Sequence, residues 1–97
     1  MKPKNRTPRR RAREFAVQAL YQAALNQLPD AEVAKNIREN EYFAKADNEL
    51  FTAIFLGVQA KRRELMQIIR PLLDRDEKDL SPIECAVLLA AAFELRD

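Results

Sequence analysis

Histidine is absent from the 97 residues, and cysteine and glycine occur once each. With no imidazole and one thiol, the chain lacks the groups for a Cys-His nucleophile, a Ser-His-Asp triad or a tetrahedral zinc site. The single cysteine, Cys85, excludes an internal disulfide, which fits a reducing cytoplasm. It lies in the apolar run IECAVLLAAAF, where a small buried hydrophobe is the simpler role than a reactive thiol. A non-catalytic protein without a cofactor is expected. No run reaches the ~18 uninterrupted apolar residues of a membrane span. The basic start is not followed by the apolar stretch and small-residue cleavage site of a secretory signal.

The lone glycine, Gly57, and the scarcity of β-branched residues leave strands and hairpins almost without punctuation. Alanine, leucine, glutamate, glutamine and arginine dominate instead, all good helix formers. An apolar fraction of 47% beside a charged fraction of 33% belongs to a folded chain rather than a disordered one. The expectation is an all-α bundle of about five helices. The net charge of +2 conceals an asymmetry: residues 1–13 carry seven basic side chains and no acid, leaving ten basic and fifteen acidic side chains for the rest. A basic arm on an acidic body points to a polyanion meeting one end of the molecule.

Residues 1–7 show no apolar periodicity and read as a flexible basic arm, with a helical domain over 8–97. Thr7 and Pro8 supply an N-cap and a first-turn proline for a helix running to about Leu28. Phe15, Ala16, Ala19 and Ala23 share one flank of it, and Val17, Leu20, Tyr21, Ala24 and Leu28 another. So wide an apolar arc predicts a helix gripped on two sides. Asp30 is placed to cap a second helix over roughly 31–40, and Asp47 a third, in which Leu50, Phe51, Ile54, Phe55 and Val58 recur at helical spacing. A bend near Gly57 is expected to open a fourth, with Leu65, Ile68, Ile69 and Leu72 inward until Pro71 disturbs its last turn. DRDEKD, 74–79, is a polar connector. SPIE, 81–84, is then a capping box for a fifth helix that is apolar all round, as in the middle of a bundle.

The chemistry-bearing cluster is RRRAR, with Arg9, Arg10, Arg11 and Arg13 at a helix N-terminus and Lys2, Lys4 and Arg6 just before it. Close guanidiniums repel one another, and the helix dipole disfavours cations at this end. Phosphate would resolve both conflicts, because helix N–H groups and arginine forks both donate to it. A solvated basic end and an organelle presequence begin the same way, although Pro3 and Pro8 interrupt the amphipathic helix that a presequence needs. Tyr21, on the apolar arc, has a ready place at the core boundary. Glu84 has one in the capping box.

RRRAREFAVQALYQ, LFTAIFLGV and LSPIECAVLLAAAFEL, in this order, resemble the NusB family of transcription antitermination factors. The likeness runs from about residue 9 to 97. It implies an all-helical fold of two small bundles sharing the first helix, with the family's C-terminal helices absent from this chain and an apolar face left uncovered, open to self-association. It also implies binding of boxA-type single-stranded RNA of ribosomal RNA operons together with NusE, a small-subunit ribosomal protein, within an RNA polymerase antitermination complex. Carried over by position, Arg9, Arg10, Arg11 and Arg13 match the RNA-binding start of the family, and Tyr21 and Glu84 match its NusE contacts. A domain of this kind also precedes the catalytic domain of ribosomal RNA cytosine methyltransferases, which is the alternative role.

Overall fold

A computed structural model describes residues 7–74 and 76–96. They form four α-helices, α1 (Pro8–Asn26), α2 (Asp30–Arg38), α3 (Asn48–Ile69) and α4 (Pro82–Arg96), joined by 3₁₀ turns at Glu41–Lys45, Arg70–Leu72 and Glu77–Asp79. No strand occurs among the described residues. Helices α1, α3 and α4 pack on one another, and α2 leans on α1. The all-α expectation holds, and α1 is indeed held from more than one side.

Three of the four helices, α1, α3 and α4, begin where a side chain satisfies a free N–H group of the first turn. Thr7 Oγ1 accepts from the Arg10 amide at 3.1 Å, with Pro8 next in line. Asp47 accepts from the Leu50 amide at 3.0 Å and opens α3 as expected. At α4 the capping box closes in both directions: Glu84 Oε1 accepts from Ser81 N at 2.9 Å, and Ser81 Oγ accepts from Glu84 N at 3.1 Å.

Asp30 departs from its expected role. Pro29 occupies the cap position without a side-chain bond, and Asp30 falls inside the first turn. Its carboxylate instead accepts from Gln59 Nε2 at 2.9 Å, tying α2 to α3. Helix α1 also stops before Leu28. Gln27 turns left-handed at φ 54°, donating its N–H to Ala23, because a residue before proline such as Leu28 is kept out of the helical region.

The bend expected near Gly57 exists but is displaced, dividing α3 into two helical segments four residues further on. It falls at Lys61 (φ −112°, ψ 19°), and Gly57 serves close packing instead. A Cβ at that position would sit 2.4 Å from the Phe93 ring of α4, so the missing side chain is what lets α3 and α4 approach. Past the bend, Leu65, Met66 and Ile69 are buried as an inner face, but Ile68 is half exposed and Leu72 is 80% exposed. Pro71 turns the chain into the 3₁₀ segment and rotates Leu72 away from the core.

The core runs along a row of rings. Phe15 and Phe43 lie 5.3 Å apart, Phe43 and Phe51 5.1 Å, and Phe51 and Phe55 6.0 Å, all suitable aromatic pairings. Leu20, Val33, Ile54, Val58, Leu65 and Leu89 complete it. Helix α4, apolar all round in sequence, is covered on one side only. Ala86, Leu89 and Ala90 are buried, whereas Ile83, Val87 and Leu95 are exposed, Leu95 beside Leu72 and Ile68. Cys85 is half-buried against the core.

Gly57→Ala sets two effects against each other. Alanine gains about 0.8–1 kcal/mol of helix propensity, while overpacking costs about 1–3 kcal/mol. The clash with Phe93 should win, lowering the urea midpoint. In a Phe93→Ala background the same substitution should raise it, and the reversal of sign tests the contact.

Candidate nucleic-acid interface

The arginine cluster occupies the first two turns of α1, and its members are engaged differently. Arg9 is exposed, with Nη1 3.8 Å from Asp47 Oδ2. Arg10 is exposed and loosely paired with Glu14, Nε to Oε2 3.8 Å, one turn on. Arg11 is half-buried on the side facing the Glu41–Lys45 turn, where it lines a cleft with Glu14, Phe15, Gln18, Asn40 and Tyr42. Both loose pairs are the surface kind, worth little in water and readily exchanged for a phosphate.

Arg13 is held differently. Its Nε donates to both carboxylate oxygens of Glu94, at 2.8 and 2.9 Å, across 81 residues of sequence. Four arginines that look equivalent in RRRAR thus divide into three available at the helix end and one latched to the last turn of α4. Lys2, Lys4 and Arg6 lie outside the described residues. Sequence had no means of pairing Arg13 with Glu94, since nothing local links them.

The start of α1 is also fixed to the segment before α3. The Asp47 amide donates to the Pro8 carbonyl at 2.9 Å, and the Asp47 carboxylate faces both the α3 N-terminus and Arg9. One acid therefore caps a helix and partly neutralises the cluster, offsetting some of the unfavourable placing of cations at the positive end of a helix dipole.

The bond between Arg13 and Glu94 joins the beginning of α1 to the end of α4. Tyr21 and Glu84 lie toward the other end of this helix pair. Tyr21 is half-buried on α1, as its place at the edge of the apolar arc implies, and Glu84 is exposed in the first turn of α4. Glu84 borders a cleft of about 390 Å³ whose other walls include Leu73, Leu80, Ile83, Val87 and Leu88. A carboxylate on the rim of an apolar cleft is suited to a protein surface that brings an apolar side chain and a donor together. The arginine end and the Glu84 cleft are thus separate, lying toward opposite ends of the α1–α4 pair.

A family model described as the NusB family matches residues 10–96. The chain belongs to the NusB family. It is 60% identical over 90 residues to the transcription antitermination protein NusB of Neisseria gonorrhoeae, an alignment covering 93% of this chain and 64% of that protein. Proteins of the same name from Laribacter hongkongensis and Chromobacterium violaceum are 52% and 50% identical, again over 93% of this chain, and are covered to 54% and 61%. The NusB-family chain described here therefore spans about 64% of the length of the relatives it matches at 60% identity. The matched region takes in the arginines from Arg10 onward, Tyr21 and Glu84.

Ser81 and Glu84 carry structural duties in the capping box that can be tested apart from any binding. Ser81→Ala should lower stability by about 1 kcal/mol through loss of the cap. Glu84→Gln, whose amide can still accept in the box, should leave the melting temperature almost unchanged. For the latch, a double-mutant cycle of Arg13→Ala and Glu94→Ala should return a coupling of only ~0.2–1 kcal/mol, because the side chains are 44% and 28% exposed and solvent screens them.

Proposed function

We propose that this chain is a non-catalytic, RNA-binding transcription antitermination factor of the bacterial cytoplasm. Its arginine end would bind boxA-type single-stranded RNA of ribosomal RNA operons. The surface around Tyr21 and Glu84 would hold NusE, the small-subunit ribosomal protein, so that together they join an RNA polymerase antitermination complex. Membership of a family whose relatives carry the antitermination name supports the overall role. No helix of the described residues is long and apolar enough to cross a membrane, and such a factor has no need of one.

The observation that carries the RNA assignment is the state of the cluster. Arg9, Arg10 and Arg11 crowd one helix end with only two ion pairs among them to described acids, each at 3.8 Å. Such an arrangement is poor for stability and good for phosphate, since the guanidinium forks and the helix dipole act on the same anion. The partner assignment draws on the rim position of Glu84 beside an apolar cleft. The uncovered residues Ile68, Leu72, Val87 and Leu95 support self-association of the chain at high concentration.

Binding of labelled boxA-type RNA across a salt series tests the first half. Single-strand binding should weaken with a log–log slope of about −0.7 per phosphate contacted. Replacing Arg9, Arg10 and Arg11 together with alanine should flatten that slope by about 2. Arg13→Ala should change it less than any of the three, because Glu94 already occupies that guanidinium. A triple variant that binds like the parent at physiological salt would sink the assignment. Glu84→Gln, expected to fold normally, should weaken NusE capture while leaving binding of RNA alone intact.

A further inference from the structure

Neighbouring residues in the Glu41–Lys45 turn meet opposite fates: Phe43 is 7% exposed, and Tyr42 is 56% exposed. The turn itself imposes this. Phe43 is wedged between Phe15 and Phe51, and Asn40 Oδ1 fixes the approach by accepting the Tyr42 amide at 2.8 Å. Tyr42 is thereby held outward on an anchored turn. The bond from Asp47 N to the Pro8 carbonyl ties the segment just beyond it to the first turn of α1, so Tyr42 and the arginines form one body.

Tyr42 shares a cleft of about 190 Å³ with Arg11, Glu14, Phe15, Gln18 and Asn40. That volume is below the ~300–1,000 Å³ of clefts that enclose a drug-sized ligand, which restricts an occupant to a small group. Five of the six wall residues match a single flat ring, and the sixth, Glu14, has its carboxylate turned to Arg10 at 3.8 Å. Tyr42 provides an aromatic face, Arg11 a planar cation, and Phe15 an apolar floor. Gln18 and Asn40 carry carboxamides, which both donate and accept; the Asn40 oxygen is engaged with the turn, which leaves its N–H₂ to donate. Single-stranded RNA is recognised by this combination, with splayed bases stacked on aromatic and arginine planes and read at their edges by amides.

We propose that this cleft receives one unstacked base of bound single-stranded RNA. Tyr42 stacks on the base, Gln18 and Asn40 meet its edge, and Arg11 holds the adjacent phosphate. The inference rests on the RNA-binding function proposed above and adds a base contact to the phosphate clamp. A peptide is the rival occupant, but the largely polar walls favour a base.

The test is titration of the full chain and its variants with a short labelled single-stranded RNA over a salt series. A second RNA of the same length, with abasic residues in place of nucleotides, serves as the comparison. Tyr42→Ala should weaken binding of the first RNA by about fivefold to a hundredfold, the range of one lost base stack, with no change in salt slope. Tyr42→Phe should bind like the parent. The abasic RNA should bind the parent and Tyr42→Ala equally. Because Tyr42 is exposed, both variants should melt like the parent, and circular dichroism checks this. If Tyr42→Ala matches the parent while the triple arginine variant binds weakly, the base site is wrong and the RNA function stands. If the parent binds no RNA, both fall. Loss of NusE capture by Tyr42→Ala with RNA binding unchanged assigns the cleft to a peptide and overturns the base site.

Discussion

Phe43 is the residue on which the cationic end depends. It comes from a short 3₁₀ turn and fills the gap between Phe15 of α1 and Phe51 of α3. Burying a phenylalanine is worth about 1.5–3 kcal/mol, which seats this hydrogen-bonded turn against the two helices. Once Phe43 is seated, its neighbours follow. Tyr42 must point outward, and Asp47 is delivered to the start of α1, where it bonds the Pro8 carbonyl, caps α3 and faces Arg9. The ends of two helices and a connector are thus fixed together by one ring.

That anchoring explains how four arginines are tolerated at a helix N-terminus. Three acids from three parts of the chain answer them: Asp47 from the connector, Glu14 from the next turn of α1, and Glu94 from the end of α4. The answers are unequal in strength. Arg13 has two short bonds and spans the α1–α4 interface, so its charge is spent on architecture. Arg9 and Arg10 have long, exposed pairs that water and salt weaken. An incoming phosphate has a single long pair to displace at each of those two, and two short bonds to displace at Arg13. The division between grip and latch lies in the geometry, although the residues read identically.

Much of this was legible in the chain because it rests on local rules. Thr7-Pro8, Asp47 and SPIE are capping signals that act within three or four residues, and the helices start at them. The apolar arc of α1 foretold contacts on more than one side. What was misplaced depended on distant partners. Asp30 looks like a cap until Gln59, 29 residues away, offers a better use for its carboxylate. Gly57 looks like a bend until Phe93 arrives to fill the space above it. Tyr42 carried a weak local signal, an aromatic pair between the caps Asn40 and Asp47, but which of the two rings turns inward is decided only by the gap between Phe15 and Phe51. Glu94 as the partner of Arg13 had no signal at all.

The two proposed surfaces differ in what holds them. The arginine end is stapled by a buried ring, a backbone bond and ion pairs to α3 and α4. The Glu84 end stands on a helix covered on one side, beside the exposed side chains of Ile83 and Val87 and the half-buried Leu88. A partner that covers this apolar side removes exposed hydrophobic area from water. Glu94 lies at the far end of the same helix, bonded to Arg13 at 2.8 and 2.9 Å. The Arg13–Glu94 pair is thus the direct contact between the cationic start of α1 and the helix that carries Glu84.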